Sequence, residues 1–236
     1  MYIKTTNSTS TLLKQLAAEG NPPDFIYAGY QTAGRGQTGN SWESEEGKNL
    51  LCSILLPPDK NLYFLNIAVG VAIIRVIQSV LCQQSGLCSV LSIKWPNDIY
   101  WQDKKAAGIL VENAIIGSEI KYSIAGIGLN VNQTEFKSDA PNPVSLKQIR
   151  GREYDIEQLM NRVLEEVHQV LNEPEQEIWS YYKSHLYRRE GWYPYEDKNG
   201  VFEAHIEDVL PTGEIVLKDR QGKERKYQFK QIRYIL

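Results

Sequence analysis

Cysteine is scarce in these 236 residues: Cys52, Cys82 and Cys88 are too few and too scattered for a disulfide framework, and no Cys-x-x-Cys or Cys/His spacing suggests structural zinc. That scarcity fits a reducing cytoplasm. An excess of positive charge is missing as well, because 26 Lys+Arg face 29 Asp+Glu, which leaves a net charge of −3 and no overall basic surface for non-specific nucleic-acid binding. Neither end hides one: residues 188–236 carry 10 Lys+Arg against 9 Asp+Glu, and the rest 16 against 20. The opening Met1-Tyr2-Ile3-Lys4-Thr5-Thr6 has no apolar signal core. There is no internal repeat and no low-complexity tract. The most apolar stretch, Leu62 to Cys82, is interrupted by Asn66, Arg75 and Gln78. It falls short of the ~20 clean residues of a membrane span, so a buried core helix is expected there.

What is present is an ordinary globular composition, 42% hydrophobic, 23% charged and 10% aromatic, which excludes disorder and collagen. At roughly 150 residues per domain, the length fits one large domain or one plus a small one. Ser8 to Thr11 form a cap cluster ahead of Leu12, Leu13, Leu16 and Ala17 at helical spacing, with Gly20 as the stop. Phe25–Tyr30 and Leu50–Leu56 read as strands around a glycine-rich loop, and a long helix is expected from Leu62 to about Gln84. Four strands follow at Val90–Trp95, Ile99–Gln102, Lys105–Glu112 and Glu119–Asn132. Their connections are too short for parallel crossovers, so they are antiparallel. After the Pro-rich loop 140–143, helices are expected at Asp155–Leu171 and from Pro174 to about Leu186. From Gly191 the texture changes to short strands with turns at Asn199-Gly200, Pro211-Thr212-Gly213 and Gln221-Gly222, which suits a five-stranded small barrel. The domains are therefore placed at 1–187 and 188–236.

Four elements could carry chemistry. Gly34-Arg35-Gly36-Gln37-Thr38-Gly39 satisfies G-x-G-x-x-G after a strand. The dinucleotide reading is rejected, because residues 40–47 have no apolar helical period and the strands downstream are antiparallel. The loop has one cation and many free N–H groups, as a cover for an anion would. Otherwise it is a plain surface loop. Lys94-Trp95-Pro96-Asn97-Asp98-Ile99 sets a lysine and an aromatic before a tight polar turn, which is also common hairpin chemistry. Lys104-Lys105-Ala106-Ala107-Gly108-Ile109-Leu110-Val111-Glu112 opens a strand with two lysines, where an edge lysine commonly just snorkels. Gly126-Ile127-Gly128-Leu129-Asn130-Val131-Asn132 alternates glycine with aliphatics, as a glycine-weakened buried strand also could.

In this order on one chain, these elements resemble the catalytic core of the biotin protein ligases: a Ser-Thr-Asn motif near the first helix, a G-R-G-R-x-G-R-x-W loop, K-W-P-N-D, a lysine before A/G-G-I-L-x-E, and G-x-G-x-N. The resemblance runs from Asn7 to the terminal barrel. It implies an α+β fold: a mixed, largely antiparallel sheet with helices, like the class II aminoacyl-tRNA synthetase core, plus a Src-homology-3-like C-terminal β-barrel. It also implies a two-step ligase that uses ATP with Mg2+ to make biotinyl-5'-adenylate, then passes biotin to a lysine of a biotin carboxyl carrier domain of a carboxylase. The implied catalytic residues are Lys105 and Arg35. Biotin-site positions fall on Ser8, Thr9, Ser10, Gln31, Arg35, Gly36, Gln37 and Lys105, with Gly108, Leu110, Gly126 and Gly128 lining the cleft. Nucleotide positions fall on Arg35, Trp42, Lys94, Asn97 and Asn130. No metal-ligating residue is implied.

The residue types suit that chemistry. A carboxylate and a triphosphate must meet at ~3.5 Å, so fixed cations are needed to offset their repulsion. Neutral Ser, Thr and Gln groups can bind an uncharged ureido ring, and glycines admit a flat bicycle. The sequence departs from the family pattern at Gln37 and Asn40, where basic residues are common, and at Ser10, where Asn is usual. It starts at the catalytic core without a helix-turn-helix, so no DNA partner and no repressor role are expected. No membrane partner is expected, and a homodimer is compatible with the resemblance. The alternatives are a lipoate-protein ligase on the same core, a non-catalytic biotin-sensing module, and a nucleic-acid-binding protein, the last disfavoured by charge.

Overall fold

Ser8, extended at φ −158°, starts helix α1 (Thr9–Ala18), whose Leu13 and Ala17 are fully buried. The structure is a computed structural model that describes residues 1–37, 39–58, 60–81, 90–116, 119–137 and 142–235. Strands β1 (Tyr2–Thr6), β2 (Phe25–Gln31), β3 (Leu50–Leu56), β4 (Leu91–Lys94), β5 (Asp98–Trp101), β6 (Lys104–Ile116) and β7 (Glu119–Leu129) form one sheet in the order β1-β2-β3-β7-β6-β5-β4. The four expected strands β4 to β7 are antiparallel, as short connections require. The β1–β2 pair is parallel. Sequence reading missed β1, because its exposed edge position leaves no apolar alternation to detect.

Helix α1 covers one face of the sheet through a small cluster of Leu13, Ile26, Ala114 and Ile124. The other face carries α2 (Leu62–Leu81), apolar almost all round because the sheet lies on one side while α4 (Ile156–Leu171) and α5 (Glu175–Ser184) lie on the other. Its polar interruptions have partners. Asn66 donates to the Pro96 carbonyl at 2.9 Å, and Arg75 forks onto Glu173 at 2.6 and 3.0 Å. The helix is thus a core helix as expected, with residues 82–84 of the expected span outside the described residues. Asp155 caps α4 by accepting from the Gln158 N–H at 3.0 Å. A short helix not anticipated from sequence, α3 (Leu146–Arg150), is closed by a capping box between Ser145 and Gln148.

The C-terminal strands β8 (Tyr193–Asp197), β9 (Gly200–Val209), β10 (Ile215–Asp219), β11 (Glu224–Tyr227) and β12 (Arg233–Tyr234) form a second sheet in the order β11-β10-β9-β8-β12. Five strands stand where five were expected. The described pairings do not close them into a barrel, because β12 is two residues long and pairs with β8 alone. The chain crosses between sheets at Arg188, whose φ is +58°. One apolar cluster runs through both sheets, from Leu50 to Tyr234. The indole of Trp95 donates to the Gly213 carbonyl at 3.0 Å across the junction.

Candidate active site

At the start of α1, three buried hydroxyls meet a strand-end amide. Ser8 and Ser10 Oγ atoms lie 3.0 Å apart, Thr9 donates to Gln31 Oε1 through its N–H (2.7 Å) and hydroxyl (3.1 Å), and Thr9 Oγ1 reaches Ser53 Oγ at 2.8 Å. These groups are neutral. They form one end of a cavity of about 760 Å³ that also takes in Arg35, Gly36, Gln37, Trp42, Lys94, Asn97, Lys105, Gly108, Leu110, Gly126 and Gly128. The structure thus brings together every sequence-predicted site residue except Asn130. That residue is buried with its amide donating to the Lys105 and Val144 carbonyls at 3.4 and 3.3 Å, so it braces the backbone of β6 instead of facing the cavity.

The glycine-rich loop is a small hairpin: Gly36 N–H donates to Asn40 O at 3.0 Å, Trp42 N–H to Gly34 O at 2.9 Å, and Arg35 bridges Ser41. No helix opens at Gly39, in keeping with the rejected dinucleotide motif. A Cβ at Gly34 would collide with the Trp42 carbonyl, so only glycine fits that turn. The hairpin lays the Trp42 indole on the glycine platform of β6 and β7, where a Cβ at Gly108 or Gly128 would meet the ring. Both glycines are on the cavity wall, as expected of cleft-lining positions, with the indole against them. Gly126 is different: its nearest neighbours are the Leu110 carbonyl, Ser10 and Ser53, beside the hydroxyl end.

Arg35, Lys94 and Lys105, all on the cavity wall, have different partners. Arg35 reaches Glu112 at 2.9 Å, and Lys14 of α1 reaches the same oxygen at 3.0 Å. Lys105 pairs with Asp98 at 2.7 Å, 5.6 Å from the Trp42 ring. Its backbone is clamped, donating to the Asn142 carbonyl at 2.7 Å and accepting from Val144 at 2.9 Å. Lys94 donates to Tyr100 Oη at 2.9 Å. Burial brings its pKa down to about 8, helped by Lys105 and Arg188 and opposed by Asp98. Asn97, at the turn of the same motif, ties itself to β6 through the Ile109 carbonyl.

Sequence reading missed Glu112 and Asp98 as partners, though both stood inside quoted motifs. It missed entirely that Phe229, Lys230, Ile232, Arg233, Tyr234 and Ile235 line the same cavity, because nothing local in those residues marks them. Cys52, a neighbour of the cavity in β3, packs in the apolar core, where burial pushes its thiol pKa up. A cavity with neutral-polar groups by Gly126 and cations on its wall and its covering hairpin can seat a neutral head group together with anionic groups.

Comparison with known proteins agrees with that reading. The family model described as the Biotin/lipoate A/B protein ligase family matches residues 2–130. The "Bifunctional ligase/repressor BirA" of Bacillus subtilis (strain 168) is 32% identical over 173 residues, covering 70% of this chain and 51% of that protein. A "Biotin--[acetyl-CoA-carboxylase] ligase" of Mycobacterium tuberculosis is 29% identical over 168 residues, covering 69% and 60%. The matched part thus spans about half the length of the first of these relatives. Among solved structures, a biotin protein ligase from Aquifex aeolicus in complex with biotin and ATP superposes with a TM-score of 0.80 at 25% identity, covering all of this chain and 98% of the other. With the motifs, the sheet order and the cavity in agreement, and more than half of the chain matched, this protein belongs to the biotin/lipoate A/B protein ligase family.

Proposed function

We propose that the chain is an ATP-dependent biotin protein ligase, which activates biotin as biotinyl-5'-adenylate and transfers it to a lysine of a biotin carboxyl carrier domain. The observation that carries this reading is the make-up of one cavity: neutral Ser8, Thr9, Ser10 and Gln31 by Gly126, Lys105 by Gly108, Lys94 in the same wall, and Arg35 on the hairpin that covers it. In the first step a biotin carboxylate oxygen attacks the α-phosphorus of ATP, the bond to the β-phosphate breaks, and pyrophosphate leaves. Lys105 and Arg35 offset the repulsion between the approaching anions, and Lys94 faces the leaving phosphates. In the second step the carrier's neutral lysine amine attacks the acyl carbon, an amide forms and AMP departs, with the amine proton passing to solvent. Neither step needs a side-chain nucleophile.

The nucleotide enters as its magnesium complex, and the ion supplies charge neutralisation on the phosphates. Among the described residues no group of three His, Cys, Asp or Glu gathers to hold a metal. Asp98 is a carboxylate on the cavity wall, already engaged by Lys105. Residues 1–187 form the catalytic unit on this reading, with 188–236 as a cap that completes its wall. A reducing cytoplasm is the proposed location, in accord with the unbridged thiol of Cys52.

The test incubates the protein with labelled biotin, MgATP and a carrier domain, then measures acid-stable label on the carrier. Label from lipoate but not biotin would move the assignment to the lipoate branch. Biotin binding without pyrophosphate release would make the protein a sensor.

A further inference from the structure

Arg35 and Lys105 each meet a carboxylate, but Lys94 has none within ion-pair distance among the described residues. The Tyr100 hydroxyl, at 2.9 Å, and two aromatic rings hold it instead. Its ammonium lies 4.7 Å from the ring centroid of Tyr100 and 5.0 Å from that of Tyr234. Tyr100 comes from β5, within the motif region. Tyr234 comes from β12, at the far end of the chain, and its ring is fixed by Tyr195 of β8 (5.1 Å, edge-on) and Tyr187 of the crossing segment (6.0 Å). The Tyr234 hydroxyl is buried and has no hydrogen-bond partner among the described residues, so the residue meets the lysine with its face and not its hydroxyl. The Tyr100 hydroxyl takes one ammonium donor, whereas the Tyr234 face attracts the cation without taking any, which leaves the other two for an incoming anion.

We propose that Tyr234 is a positioning residue for Lys94: the C-terminal strand supplies the ring that holds this ammonium toward the cavity, so the charge offered to a nucleotide's phosphates depends on docking of the C-terminal sheet. The nucleotide clause rests on the function proposed above; the seat itself does not. The charged and titratable groups around Lys94 are Asp98 and Tyr100 of β5, Lys105 of β6, Tyr187 and Arg188 of the crossing, and Tyr195 and Tyr234 of the C-terminal sheet. Burial and the two cations push its proton off, Asp98 holds it, and the aromatic faces favour the charged form.

The test changes the ring's electrostatics without changing its shape. Tyr234→Phe keeps the face and serves as reference. Mono- and trifluorinated phenylalanines at position 234 then withdraw charge from it, with melting temperature as a control on folding. The first readout uses no turnover: the pH midpoint for reductive methylation of the Lys94 amine, followed by mass spectrometry of its peptide. The midpoint should fall stepwise with fluorination, by about half a unit or more across the series. The KM for ATP should rise severalfold while the KM for biotin stays at the reference value. A methylation midpoint that is flat across the series overturns the seat. A falling midpoint with unchanged ATP KM overturns its link to the nucleotide. A protein that turns over no ATP sinks the functional reading alone, with the methylation series still deciding the seat.

Discussion

Lys105 holds its ammonium 2.7 Å from Asp98 on a backbone clamped at both sides, so its side chain is aimed before any ligand arrives. The pair is half-buried, and such ion pairs contribute about 1 kcal/mol or less to stability. Lys105→Ala should therefore melt within a few degrees of the parent yet lose about a hundredfold in adenylation rate, the ~3 kcal/mol typical of one preorganised charge. Calorimetry and pyrophosphate release measured on the same preparation check both halves. Gln37 is the second residue of interest, because it leaves the loop with Arg35 as its single charge. Lys48, the nearest basic residue after the loop in sequence, is not on the cavity wall; Lys230 is, with its Nζ next to Gly39. Gln37→Arg should slow release of preformed biotinyl-adenylate by an amount on the order of 1–3 kcal/mol, the value of a new charge-assisted hydrogen bond. Stopped-flow fluorescence of Trp42 reads the off-rate, and an unchanged rate would mean that Gln37 does not limit retention.

The loop hairpin works as an element because two features anchor it: the indole on the glycine platform and the Arg35–Glu112 contact. Gly128→Ala puts a methyl group where the ring lies, an overpacking that costs about 1–3 kcal/mol. The expected outcome is a longer-wavelength emission from Trp42, absent in a Trp42→Phe background, and a lower melting temperature. Burial pushes the Glu112 carboxyl up, but its bonds to Lys14 and Arg35 outweigh burial and hold it below the usual carboxylate range. A depressed folded-state pKa stabilises above the unfolded value and is lost as pH falls through the folded one. Acid should therefore release the loop before the fold, as a Trp42 fluorescence step that Glu112→Gln abolishes.

These elements also show what can be read without coordinates. Leu50–Leu56 was legible to the residue, because six of its seven residues are apolar, with only Ser53 polar, between the turn signals Gly47 and Pro57-Pro58. The helix around Leu159, Met160 and Val163 was legible from its period and the Asp155 cap. Tyr2–Thr6 was not, since an edge strand gains its order from a partner 25 residues on, and α3 was too short to show a period.

At the scale of the molecule, the site is a joint product of segments distant in sequence. The motifs between Ser8 and Gly128 were readable because each has its own turn chemistry, whereas the bracing of the Lys105 and Val144 carbonyls by Asn130 was not, because a buried amide and a ligand-facing one look alike in sequence. The wall from Phe229 to Ile235 was invisible: it meets Lys94 and Trp95 only through the folded chain, as in the edge contact of Phe229 with Trp95. Helix α2 depends on distant segments in the same way, and this bears on how the protein is made. Its outer side is sealed by α4 and α5, which end at Ser184. At ~5–20 residues per second on the ribosome, α2 emerges roughly five to twenty seconds before its cover is complete. During that interval the nascent chain presents twenty nearly uncharged residues with the look of a membrane segment. Ribosome-stalled chains ending before residue 150 should cross-link to chaperones and hydrophobic-segment receptors through α2, and chains ending beyond the second sheet should not.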